Sequence, residues 1–219
     1  MSLRIVIADD HTLMRAGLRA LLEHDLGHTV VGEAETGLRA LEQVRACTPD
    51  LVLMDVGMPE LNGIEATRQL IAQTPGVKVI GLSIHADVDY VIEMLKAGAR
   101  GYLLKDSALE ELHQAIRVVG AGQTYVAQKL ATQVFDDYIR RVGAERRESA
   151  FDLLSARDRI IIQLLAEGHT SKEIAERLSL AVSSVETYRS QIMAKLNLRN
   201  IAALTKYAIR EGITSVELT

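Results

Sequence analysis

The sequence predicts an α/β doubly wound five-stranded parallel sheet, in strand order 2-1-3-4-5, joined to a small all-α helix-turn-helix domain. Three observations predict it. Apolar runs alternate with amphipathic stretches throughout the first 120 residues. Several of those runs are apolar on both faces, as strands covered by helices on each side must be. Beyond residue 150 the strand signal stops and helix-start signatures succeed one another.

The strands read in order as "LRIVIA" (3–8), "TVVGEA" (29–34), "LVLM" (51–54), "KVIGLS" (78–83) and "GYLL" (101–104). Helical patterns lie between and after them, at 12–24, 37–47, 62–73, 87–97 and 108–120. In the first, Leu13, Ala16, Gly17, Ala20 and Leu21 share one face at three- and four-residue spacing. Gly98 and Gly120 sit where helix stops belong. Five β-then-α units of this kind make a doubly wound layer. "QKLATQVFDDYIRR" (128–141) reads as one more helix, and "VGAERRESA" (142–150) as a polar tether. Three capping boxes then announce helices: Ser155 with Asp158, Thr170 with Glu173, and Ser183 with Glu186. Asn200 opens a last helix that Gly212 closes. The division is 1–122, a linker at 123–150, and 151–219.

Composition narrows the setting. At 219 residues, 48% hydrophobic and 25% charged, the chain has material for two cores. Its apolar runs are too short to span a bilayer, and "MSLRIVIADD" lacks a basic-then-apolar leader. Cys47 is the one cysteine, so no internal disulfide forms and a reducing cytoplasm is the expected compartment. Charge is uneven, with 11 basic against 17 acidic residues in 1–125, 5 against 4 in 126–150, and 9 against 8 in 151–219. The acidic front part suits a cation or a basic partner.

The residues just after the strands carry the chemistry. The first strand ends in Asp9 and Asp10, the third in Asp55, the fourth in Ser83 and the fifth in Lys105. In a parallel sheet all these positions share the carboxyl edge, where ligands bind at the point of reversed strand order. Asp9, Asp10 and Asp55 together repel unless a cation joins them, and a hard divalent ion, Mg²⁺, meets that need with oxygen ligands. Lys105 and Ser83 make sense if an anion also arrives. One Asp as nucleophile, a metal, an ammonium and a hydroxyl are the equipment for a phosphoryl group on a carboxylate. Asp55, alone at its strand end, is the best nucleophile.

These residues bring a family into view. "ADD" (8–10), "LMDVGMPELNGIEA" (53–66), "LS" (82–83) and "GYLLK" (101–105) resemble a response-regulator receiver domain, whose fold is flavodoxin-like. The resemblance implies that Asp55 accepts phosphate from a phosphohistidine on a sensor histidine kinase. It implies Mg²⁺ held by Asp10, Asp55 and the Gly57 backbone carbonyl, with Asp9 assisting through water. It also implies that Ser83 swings toward the phosphoryl group and that Tyr102 turns inward behind it. His85, two residues past Ser83, stands where a side chain gates water access.

The last part reads as helix, tight turn at Gly168, helix, short turn at 179–182, helix, which is helix-turn-helix spacing. A recognition helix beginning near Ser183 would turn Glu186, Thr187, Arg189 and Ser190 outward while Val185, Ile192 and Leu196 pack inward. Lys172, Arg189, Lys195 and Arg199 are candidates to neutralise phosphates, and Ser183 and Ser184 join the candidate DNA-binding set. "GHTSKEIAERL" and "SSVETYRSQIMAKLNLRN" resemble the LuxR-type DNA-binding domain that closes NarL/FixJ-type regulators. The chain departs from that pattern at Asp158, Ser171, Ala181, Ser183 and Tyr188, so base preference does not carry over.

The expectation is a DNA-binding response regulator of a two-component system, dimeric on a two-fold DNA site once phosphorylated. Helix 200–212, with Ile201, Leu204, Ala208 and Ile209 on one face, is the candidate dimer contact or completes the domain's core. Catalysis would be confined to the chain's own phosphorylation and dephosphorylation. Two other readings stand beside it: a phosphatase or hydrolase using Asp55 and Mg²⁺ on outside substrates, and a phosphorylation-dependent protein-interaction switch whose helical domain does not bind DNA.

Overall fold

The computed structural model describes residues 2–84, 86–143 and 154–214. His85 and all but the first two residues of the expected tether 142–150 therefore lie outside the described residues. The chain divides into two compact units, Met1–Gly143 and Ala144–Thr219.

In the first unit a parallel sheet is built from β1 (Arg4–Ala8), β2 (Thr29–Ala34), β3 (Leu51–Asp55), β4 (Lys78–Ser83), β5 (Gly101–Leu104) and β6 (Tyr125–Val126). The order is β2-β1-β3-β4-β5-β6. The expected order 2-1-3-4-5 is present, but the sheet has six strands and not five. The sixth pairs Gly101 with Tyr125 and Tyr102 with Val126, and the Ala127 N–H donates to the Tyr102 carbonyl at 3.1 Å. Two residues are too few to show the period-two alternation by which a strand is read. Every residue of β3 is buried, as a strand covered on both faces requires.

The helices of this unit are α1 (Thr12–Ala20), α2 (Gly37–Cys47), α3 (Gly63–Gln73), α4 (Val88–Lys96), α5 (Leu109–Gly120) and α6 (Gln128–Gly143). α1 stops earlier than the apolar period suggests and runs into a π-helical turn over Leu21–Asp25. Its face of Leu13, Ala16, Gly17 and Ala20 is exposed, Leu13 by 87%, while Leu18 and Leu22 enter the core. α5 runs through Gly120, and the left-handed residue that ends it is Gly122 (φ 83°), two positions beyond the expected stop. Gly98 (φ 106°) comes after α4 as anticipated.

The second unit holds α7 (Ala156–Ala166), α8 (Ser171–Leu178), α9 (Val182–Lys195) and α10 (Ile201–Arg210). Two of the three expected capping boxes form. Ser155 Oγ accepts the Asp158 N–H at 3.1 Å while Asp158 Oδ2 accepts the Ser155 N–H at 3.0 Å, and Thr170 and Glu173 exchange the same pair. The third does not. α9 starts at Val182 after the extended Ala181, which has no side chain to cap it, so Ser183 and Glu186 already lie inside the helix. Ile161, Ile162, Ile174, Val185, Ile192, Leu204, Tyr207 and Ala208 form the core. α10 thus contributes Leu204 and Ala208 to that core, leaving Ile201 exposed.

Candidate functional site

Sequence places Asp55 where it is by a run of fully buried residues, Leu51–Met54, that fixes β3 in the middle of the sheet. The register then does the rest. Ala8 pairs with Met54, Asp55 with Leu82, and Ser83 with Leu104, so Asp55 and Ser83, the last residues of their strands, meet the residues just after β1 and β5 along one edge. Asn62 caps α3 by accepting the Glu65 N–H at 2.9 Å, and the Gly63 N–H donates to the Val56 carbonyl at 3.0 Å. Gly63 has no Cβ to spare there: one would collide with the Asp55 carbonyl oxygen. The start of α3 thereby presses on the backbone that presents Asp55.

Lys105 Nζ lies 2.8 Å from Asp9 Oδ2 and 2.8 Å from Asp55 Oδ2, and all three side chains are buried. Burial pushes the Asp55 carboxyl up to about 6; Lys105 opposes the shift, Asp9 adds to it, and the Gly57 N–H, donated to Asp55 Oδ1 at 3.1 Å, opposes it. Burial works against the charge of Lys105, yet Asp55 and Asp9 hold it above the usual lysine value. Gly57, expected to offer its carbonyl, therefore already faces Asp55 through its N–H.

The crevice also contains His11, which the strand-end pattern did not single out. Donor atoms of Asp9, Asp10, His11 and Asp55 all lie within 4.8 Å of one another. Asp10 Oδ1 is buried and lies 2.7 Å from His11 Nδ1, and Asp9 Oδ2 is paired with Lys105 at 2.8 Å. Buried carboxylate oxygens gathered in this way fit a divalent cation. The signal for His11 was its place two residues after Asp9 at the strand end.

Ser83 and Tyr102 are both buried, and their hydroxyls are hydrogen-bonded to each other. Burial raises the Tyr102 phenol above its ordinary range. Its ring points inward, in space left by Gly81: a Cβ there would lie 2.9 Å from Met94 Cγ and 3.3 Å from Tyr102 Cδ2.

In the second unit, Val185 and Ile192 are buried in the core while Ser183, Glu186, Thr187, Arg189 and Ser190 are exposed and Ser184 is half-buried. Lys172 and Arg199 are exposed too. Thr187 turns its hydroxyl back to the Ser183 carbonyl at 2.8 Å. Lys195 Nζ donates to Asp158 Oδ2 at 2.9 Å, tying the end of α9 to the start of α7. Arg157 Nη1 donates to the Tyr188 hydroxyl at 3.1 Å, its guanidinium 5.8 Å from the ring centre.

Comparison with known proteins bears on both units. The response regulator receiver domain matches residues 5–117, and the bacterial regulatory proteins of the luxR family match 152–208. The response regulator UvrY of Escherichia coli (strain K12) is 39% identical over 215 residues, covering 98% of this chain and 97% of its own. The transcriptional regulatory protein DegU of Brevibacillus brevis is 35% identical over 226 residues, covering 98% and 96%. Among solved structures, a LuxR-family two-component response regulator from Aurantimonas sp. SI85-9A1 superposes with a TM-score of 0.61 at 33% identity, over 64% of this chain and 99% of that one.

Proposed function

Since the chain belongs to the response-regulator family, with a receiver domain followed by a luxR-type regulatory domain, we propose that it is a DNA-binding transcription regulator switched by phosphorylation of Asp55. In this reading 1–122 is the receiver, 123–150 the linker and 151–219 the DNA-binding domain. The observation that carries it is Lys105, 2.8 Å from both Asp55 and Asp9 at the carboxyl edge of the sheet.

Asp55 attacks the phosphorus of a phosphohistidine on a sensor kinase. An O–P bond forms as the N–P bond breaks, and the histidine nitrogen keeps the electron pair and takes up a proton. Lys105 then turns from pairing two carboxylates to holding a phosphoryl oxygen, and Ser83 supplies a hydroxyl to another. Mg²⁺ held by Asp10, Asp55 and the Gly57 carbonyl, with Asp9 in support, would neutralise charge on the transferring group. Catalysis by the chain is confined to its own phosphorylation and dephosphorylation.

The hydroxyl link between Ser83 and Tyr102 supports a switch role for both, because a phosphoryl group that draws Ser83 away breaks a hydrogen bond of a buried phenol. The favoured receiver state promotes a homodimer on a two-fold DNA site. The outer face of α9, with exposed Ser183, Glu186, Thr187, Arg189 and Ser190 and half-buried Ser184, enters the major groove; Lys172 and Arg199 are the flanking cations for phosphates, while Lys195, a candidate by sequence, is engaged by Asp158. No helix of the described residues is long and apolar enough to cross a membrane. A cytoplasmic place is part of the same reading.

The test is recovery of genomic DNA by the full chain with and without a small phosphoryl donor, using wild type and Asp55→Ala. Donor-dependent enrichment of discrete sites, lost in Asp55→Ala, is expected. Failure to retain any duplex at low salt would leave the helical unit a protein-binding module instead.

A further inference from the structure

We infer that His11 is itself a ligand of the divalent cation, adding an imidazole nitrogen to the carboxylate oxygens and fitting the crevice for a first-row transition ion such as Mn²⁺ as well as Mg²⁺. This rests on reading Asp9, Asp10 and Asp55 as a metal site and names a donor beyond that set. His11 Nδ1 lies 2.7 Å from Asp10 Oδ1 and 3.2 Å from Asp9 Oδ1. The longer approach is a hydrogen bond with Asp9, and the shorter is an ion-pair contact with the buried Asp10 Oδ1. One imidazole nitrogen thus sits among oxygens of both Asp9 and Asp10, where a divalent cation would displace its proton and take its lone pair. The donor atoms of the four residues lie within 4.8 Å of one another, against about 4.2 Å between opposite ligands at about 2.1 Å each, so small side-chain shifts bring them onto one ion.

The backbone holds the ring in place for this. His11 precedes the first turn of α1 in an extended conformation, where its N–H donates to Asp9 Oδ1 at 2.8 Å and its carbonyl accepts the Arg15 N–H at 3.1 Å. Residues that favour this cap position turn a side-chain oxygen onto the helix; His11 makes no such cap, and its ring lies against the acidic crevice instead. Arg15 Nη1 donates to the Asp9 carbonyl at 2.6 Å, which pins the same stretch from the helix side. Imidazole suits first-row transition ions, whereas carboxylate, carbonyl and water suffice for Mg²⁺. A nitrogen here tilts preference toward Mn²⁺ by taking the place of a water.

The experiment uses the full chain with Mn²⁺ as a paramagnetic probe and pulsed electron paramagnetic resonance as readout. Wild type should show direct ¹⁴N coupling to bound Mn²⁺. His11→Gln should bind Mn²⁺ about tenfold more weakly, lose that coupling, and lose less affinity for Mg²⁺. Bound Mn²⁺ without nitrogen coupling in wild type would overturn the inference, leaving the Nδ1–H as a donor to Asp9 and the acidic site intact. Coupling that survives His11→Gln would overturn it as well. If Asp10→Asn left Mn²⁺ affinity unchanged, the acidic site itself would be refuted, and His11's role with it.

Discussion

Gly63 stands against Asp55 so closely that a methyl group at position 63 would strike the Asp55 carbonyl oxygen. The first residue of α3 is therefore part of what aims the Asp55 side chain, although it lies eight positions away in sequence. Backbone cannot yield as a flexible side chain can. Gly63→Ala should lower stability by about 2 kcal/mol or more in urea denaturation. Gly17→Ala is the control: no atom lies within 4 Å of its Cβ position in α1, and it should gain about 0.5–1 kcal/mol.

Asp55 gives the account a pH dependence. Burial, against the pull of Lys105, holds its carboxyl near 6, above the ordinary 3.8. The folded chain thus binds this proton more tightly than the unfolded chain. The group's contribution to stability is complete below pH 3.8 and is lost as pH rises through about 6. Asp55→Asn removes that loss, so the variant should exceed wild type by on the order of 2 kcal/mol in alkaline buffer, with the gap closing in acid. Thermal unfolding across that pH range measures it, and a gap that widens in acid would contradict the assignment.

Ala181 leaves the N–H groups at the start of α9 without a side-chain acceptor. Ala181→Ser supplies one at a residue already extended, and should stabilise the helical unit by about 1 kcal/mol in urea unfolding. An unchanged midpoint would mean that water already caps this end as well.

Arg189 and Lys195 should part company in DNA binding. Arg189 is exposed on α9, so Arg189→Ala should weaken duplex binding and reduce the slope of log affinity against log salt by about 1. Lys195 is drawn to Asp158, whose carboxyl, despite burial, is held below its usual range by Lys195 and the Ser155 cap. Lys195→Ala should cost about 1 kcal/mol of stability and leave the salt slope nearly unchanged. The stability loss should disappear in acid, as Asp158 takes up its proton.

The parts of this structure that were legible in the sequence are those set by strong local rules. Buried runs such as Leu51–Met54 announce strands, and the polar residues directly after them announce the edge that gathers Asp9, Asp10, Asp55, Ser83 and Lys105. Ser155 and Thr170 were readable as caps because their partners sit three residues on. Ser183 has the same spacing to Glu186, but Val182 already begins the helix, so tertiary packing of Val185 and Ile192 overrode the local signature. α1 misled for a related reason: two apolar stripes compete, and the sheet takes Leu18 and Leu22 while Leu13 stays in water. β6 and His11 were missed because each owes its place to a partner distant in sequence or to a side-chain direction that spacing does not encode.

The most direct measurement is intact-protein mass spectrometry after incubation with a small phosphoryl donor and Mg²⁺, with peptide mapping of the product. One phosphoryl group on Asp55, labile to alkali and absent from Asp55→Asn, is the predicted result. An unmodified chain, or a phosphoryl group that persists in Asp55→Asn, would contradict the account at its centre.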